Sequence, residues 1–133
     1  MPKRILVVED NLDTRELMHL HLTTAGFSVI LASDGHEGLY LAEAELPDLI
    51  ITDINMPQLD GITLIKELRS RAAIKAVPII ALSAYGAEEL ETAIGAGASL
   101  GVRKPTLFDS LIDDITKLLS EATGPLCCCN CPD

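Results

Sequence analysis

The sequence predicts an α/β domain: a doubly wound, five-stranded parallel sheet built from five successive βα units. Three observations carry that reading: short apolar runs rich in β-branched residues, segments of helical spacing between them, and start or stop signals at the junctions. Four of the runs, at residues 5–8, 27–32, 49–51 and 77–82, are too short for helices and read as buried strands. Three of them are nearly continuous rather than alternating, the pattern of a parallel sheet covered on both faces. A fifth run at 100–103 is weaker, because Gly101 interrupts it.

The helical segments follow in order. Leu12, Met18, Leu22 and Ala25 space the first, and Gly26 can end it in a left-handed cap. Asp34 is placed to cap the second helix and Asp60 the third, whose apolar side is Leu64, Ile65 and Leu68. Thr106 and Asp109 form a capping-box variant with Asp in place of Glu, ahead of a stripe made by Leu107, Leu111, Ile115, Leu118 and Leu119. Strand then helix, five times over, implies right-handed crossovers with helices on both faces of the sheet.

Composition narrows the function. A chain of 133 residues fits one domain, and its 3% aromatic content without Trp leaves the core to aliphatic side chains. Ten basic against twenty acidic residues give a formal charge of −10, which repels a phosphate backbone, so no nucleic-acid partner is expected. No apolar run approaches the roughly 20 residues of a membrane span. The first apolar run is also too short for a signal-peptide core, so a cytoplasmic protein with no membrane partner is expected. Cys127, Cys128, Cys129 and Cys131 all lie near the C-terminus, where Cys128 and Cys131 make a C-x-x-C pair that no second pair or nearby His completes as a zinc site. Residues 1–121 are therefore expected to form the domain and 122–133 a Cys-rich, disordered tail. No linker or second domain is visible in these 133 residues, so an output domain is expected to be another molecule.

In an open α/β sheet, ligands bind beyond the carboxyl ends of the strands. The residues that follow the apolar runs are Glu9-Asp10, Thr52-Asp53, Ser83-Ala84 and Lys104-Pro105. One end of the sheet thus gathers three carboxylates, a hydroxyl and an ammonium. The carboxylates repel one another unless a cation shares the site, and hard oxygen ligands point to Mg²⁺, with Asp10 and Asp53 as direct ligands and Glu9 acting through water. An oxygen nucleophile, a metal, a cation and hydrogen-bond donors are what phosphoryl transfer needs.

The Glu9-Asp10 pair, the run from Asp53 through Asn55, Met56 and Pro57 to Asp60-Gly61, Ser83-Ala84 and Lys104-Pro105 resemble the receiver domain of two-component response regulators, over about residues 3–121. The resemblance implies the flavodoxin-like strand order 2-1-3-4-5 and a receiver of the stand-alone type. It implies that Asp53 is the phosphoacceptor, supplied by a sensor histidine kinase, a phosphotransfer protein or a small donor such as acetyl phosphate. Asp10, Asp53 and the backbone carbonyl of Asn55 would hold Mg²⁺, with Glu9 assisting. Lys104 would pair with Asp53 and then with a phosphoryl oxygen, Ser83 would hydrogen-bond another, and Ala84 would give room and a backbone N–H. Such a domain signals by binding a partner protein, here expected at the face of the fourth helix and fifth strand. Its only chemistry is its own phosphorylation and dephosphorylation, so it is not an enzyme in the ordinary sense.

One residue departs from the pattern. The family usually carries Tyr or Phe three residues before the lysine, and this sequence has Gly101. The expectation is a space beside the fifth strand, into which Tyr85 could move, with output running through the fourth helix. Pro57 and Gly61 read as residues that shape the loop, Gly61 by permitting a tight turn into the third helix, and Met56 reads as packing. His19, His21 and His36 lie in helical segments, and a spacing of two keeps His19 and His21 off a common face. Two rival readings are weaker. A degenerate receiver that binds its partner without phosphorylation has only Gly101 in its favour. A hydrolase of the haloacid dehalogenase type wants a second Asp two residues after the nucleophile, where Asn55 stands.

Overall fold

The computed structural model describes residues 3–56, 60–72, 74, 76–83, 87–103 and 108–122. Its elements are β1 (Arg4–Val8), α1 (Leu12–Thr24), β2 (Ser28–Ala32), α2 (Gly35–Glu45), β3 (Leu49–Asp53), α3 (Gly61–Arg69), β4 (Ile79–Ser83), α4 (Ala87–Ala96), β5 (Leu100–Arg103) and α5 (Phe108–Ala122). All neighbouring strands are parallel, in the order β2-β1-β3-β4-β5. The sequence expectation of fold and strand order holds. The three continuous apolar runs are the three interior strands, and β2 and β5, at the edges, are only half-buried.

Side chains alternate across the sheet, and each set has its own core. Leu6, Val8, Ile50, Ile79 and Ala81 pack with Leu64, Ile65 and Leu68 of α3 and with Ala42 and Ala93 of α2 and α4. Ile5, Val7, Leu49, Ile51, Ile80 and Leu82 pack on Met18 and Leu22 of α1 and on Leu111, Ile115 and Leu119 of α5. Each fully enclosed Leu or Ile contributes about 1.5–3 kcal/mol relative to exposure, so these two aliphatic layers hold the sheet between the helices.

Strand and helix limits follow from local chemistry. Gly26, at φ 100°, ends α1, with its N–H on the Thr23 carbonyl and the Phe27 N–H on that of Leu22. Phe27 is thereby spent on the cap, and β2 starts at Ser28 rather than at 27. Pro78 has no N–H to give a ladder, so β4 starts at Ile79 rather than at 77. Asp34 and Asp60 cap α2 and α3 as expected, accepting from the N–H groups of Glu37 and Thr63 at 2.8 Å. The expected stripe of α1 needs correction: Leu12 is 56% exposed and Ala25 is the exposed C-cap, leaving Met18 and Leu22 as the buried side. Leu12 lies about 120° around the helix from Met18, too far to share its face. Thr106 and Leu107 lie outside the described residues, as do 123–133 with the four cysteines.

Candidate functional site

The ends of β1, β3 and β4 converge because the strands are paired in register there: Val8 faces Thr52 and Asp53 faces Leu82. The N–H of Ile54 still bonds the Leu82 carbonyl at 2.8 Å, which holds the β3 end beside Ser83. Among the described residues the buried polar side chains are Glu9, Thr52, Asp53 and Ser83, all at this edge. One carboxylate oxygen from each of Glu9, Asp10 and Asp53 lies within 4.8 Å of the others. The three acids read from the sequence as a metal cluster are thus brought together, and Ser83 stands on the adjoining strand.

Glu9 and Asp53 each accept a backbone N–H from two residues further along the chain. Glu9 is 1% exposed and accepts the N–H of Asn11 at 3.1 Å, while Asn11 caps α1 through Thr14. Arg15, in the first turns of α1, reaches back to the Glu9 carbonyl at 2.9 Å and sets a guanidinium beside the cluster. Asp10 is exposed at the mouth. Asp53 accepts the N–H of Asn55 at 3.2 Å. A set of three hard oxygen donors that close suits a divalent cation such as Mg²⁺.

Gly61 serves this site for a reason other than the tight turn expected of it. Its φ is not in the left-handed region, but a Cβ there would lie 2.3 Å from the Asp53 carbonyl oxygen and 2.6 Å from the Ile54 Cα. The start of α3 therefore lies directly against the backbone of Asp53, and Gly is what admits it. A second correction concerns Gly101. The space expected beside it is filled by Leu90 of α4, whose Cβ and Cδ2 would be 3.1 Å from an added Cβ. Pro57, Ala84, Tyr85, Lys104 and Pro105 lie outside the described residues.

Sequence reasoning missed Glu89. It reaches from α4 to accept the Ser83 hydroxyl in a short hydrogen bond, and its other oxygen accepts the Asn55 amide at 2.8 Å. Asn55 Oδ1 is buried and has no hydrogen-bond partner among the described residues.

Residues 5–116 match the family described as response regulator receiver domain. The chain belongs to that family. Over 124 residues this receiver is 37% identical to the response regulator MprA of Mycolicibacterium vanbaalenii, a match covering 92% of the chain and 53% of that protein. The chain spans about half the length of such curated relatives. Its fold superposes on the chemotaxis protein CheY4 of Vibrio cholerae with a TM-score of 0.84 at 28% identity, over 89% of this chain and 99% of that one. The receiver domain of a sensor histidine kinase of Pseudomonas aeruginosa gives 0.85 at 30% identity over 90% and 99% of the two chains, and that structure has a magnesium ion coordinated in its active-site cleft. Receivers are signalling domains of two-component systems that interact with histidine kinases or phosphotransfer proteins and bind Mg²⁺ at an acidic pocket. In this receiver, Glu9, Asp10 and Asp53 form an acidic cluster at the carboxyl edge of the sheet. Among its described residues no helix is long and apolar enough to cross a membrane.

Proposed function

We propose that this receiver is a switch set by phosphorylation of Asp53, with a sensor histidine kinase or a phosphotransfer protein as donor. One observation carries the reading: Asp53, 5% exposed, is clustered with Glu9 and Asp10 and adjoins the strand that ends in Ser83. A carboxylate oxygen of Asp53 attacks the phosphorus in line. The O–P bond forms as the P–N bond of the donor phosphohistidine breaks, and the electron pair returns to the imidazole, which takes a proton from solvent.

Asp10, Asp53 and the Asn55 carbonyl would hold Mg²⁺, with Glu9 assisting through water. When bound, the ion supplies charge neutralisation to the phosphoryl oxygens. The protein's own part is positioning. Gly61 and the Asn55 N–H fix the Asp53 backbone and carboxylate. Ser83 would donate a hydrogen bond to one phosphoryl oxygen, Lys104 would pair with another, and the Ala84 backbone N–H would donate beside them. Burial of Asp53 and Ser83 keeps competing water from these two side chains, which strengthens the contacts they make.

The signal is read by a partner protein at the face of α4 and β5 rather than by nucleic acid, which the formal charge of −10 disfavours. We place the switch in the cytoplasm and its domain in residues 1–121, and truncation after Gly124, beyond the end of α5 at Ala122, should leave folding and phosphorylation intact. Incubation with acetyl phosphate should label the protein in Mg²⁺ and leave it unlabelled in EDTA. Equal labelling in both would remove the metal-assisted site from the account.

A further inference from the structure

The two hydrogen bonds of Glu89 join the reacting edge of the sheet to a helix. Ser83 carries one hydroxyl proton, and that proton is directed at Glu89 Oε1. Oε2 holds the amide of Asn55, two residues beyond Asp53. Glu89 lies in the first turn of α4, where the helix dipole favours a carboxylate. Its neighbour Leu90 packs over Gly101 of β5, so two consecutive residues seat this end of the helix.

We propose that Glu89 is an internal latch: in the unphosphorylated protein it occupies the Ser83 hydroxyl that a phosphoryl group on Asp53 requires, and phosphorylation expels it, freeing the first turn of α4. This rests on the reading of Asp53 as phosphoacceptor and adds the link from that site to the helix. An aspartyl phosphate brings up to two negative charges to a place where one carboxylate already holds the donor. Both anions cannot use the single proton, and they repel each other. When Glu89 leaves, α4 loses its hydrogen bonds to Ser83 at the end of β4 and to Asn55 just after β3, while Leu90 over Gly101 carries the shift to β5. The space that an aromatic would need at position 101 is taken by α4 itself, which makes the helix the moving part. Coupling is reciprocal, so weakening the latch must favour the phosphorylated state.

The test uses the full chain with Mg²⁺ and beryllofluoride, which adds to a carboxylate as a phosphoryl mimic, with affinity read by calorimetry and α4 by amide NMR shifts. Glu89→Gln keeps the shape and removes the charge, and should raise beryllofluoride affinity about tenfold, since a hydrogen bond to a charged group is roughly twice as strong as a neutral one. Glu89→Ala should repeat the gain. In a Ser83→Ala background the same change should gain less than about twofold, because the shared proton is gone. Amides 88–91 should shift on binding in the wild type and should already be displaced that way in unliganded Glu89→Gln. Unchanged or weaker affinity in both Glu89 variants overturns the latch. So does a gain that persists fully without the Ser83 hydroxyl, which would make Glu89 a through-space charge only. If the wild type binds and Asp53→Asn does not, such a failure belongs to the latch alone. If the wild type does not bind, or binds no differently from Asp53→Asn, the phosphoacceptor reading falls and the latch with it.

Discussion

The two edges of the sheet treat polar side chains in opposite ways. At the amino ends of β1 and β3 they stay in solvent and hold one another: the Arg4 guanidinium meets Glu45, with the two side chains 39% and 45% exposed, and the Arg4 N–H donates to Asp48 at 2.8 Å. At the carboxyl edge Glu9, Thr52, Asp53 and Ser83 are buried, and two of them share a small volume with a third acid, Asp10. An exposed ion pair adds at most about 1 kcal/mol. Buried like charges work against folding, which is tolerable only where a bound cation or a chemical task offsets them. The fold is thus fastened at one edge and loaded at the other.

The largest test of that contrast is metal addition. Mg²⁺ should stabilise the wild type by mass action, by about 2.7 kcal/mol at a hundred times its Kd, whereas Asp10→Ala should show almost no gain in thermal or urea unfolding at constant ionic strength. A comparable gain in the variant would mean that the acids at the carboxyl edge do not act together. Next comes Gly61→Ala, which forces a methyl against the Asp53 carbonyl. Overpacking of this kind costs about 1–3 kcal/mol, and here it should also slow labelling by acetyl phosphate, since the displaced backbone carries the nucleophile. Normal labelling in a destabilised protein would separate the packing from the site. The smallest effect belongs to the amino edge: Arg4→Ala should cost no more than about 1 kcal/mol and leave labelling unchanged.

The sequence made the loaded edge legible for a physical reason. A buried parallel strand is a continuous apolar run, so its carboxyl end is marked by the first polar residues after it, and Glu9, Asp10, Asp53 and Ser83 fall at such points. Caps were legible too, because Asp34, Asp60 and Gly26 act within a few residues of themselves. Glu89 was not. It sits among Glu88 and Glu91 on α4, where an acid-rich run looks like a solvated helix face, and only the packing of α4 against β4 turns one of these carboxylates toward Ser83. Gly101 misled for the same reason: a glycine in a strand says that little fills the space locally, and only the tertiary fold supplies Leu90. Leu12 was an error of angle, an apolar residue in the first turn of α1 that the core does not reach.

The central claim is that Asp53 alone receives the phosphoryl group. Intact mass after incubation with acetyl phosphate and Mg²⁺ tests it directly, in the wild type and in Asp53→Asn, whose fold is checked by its unfolding curve. One added phosphoryl group is expected on the wild type and none on the variant. Equal uptake by a folded Asp53→Asn protein, or no uptake by either, would contradict it.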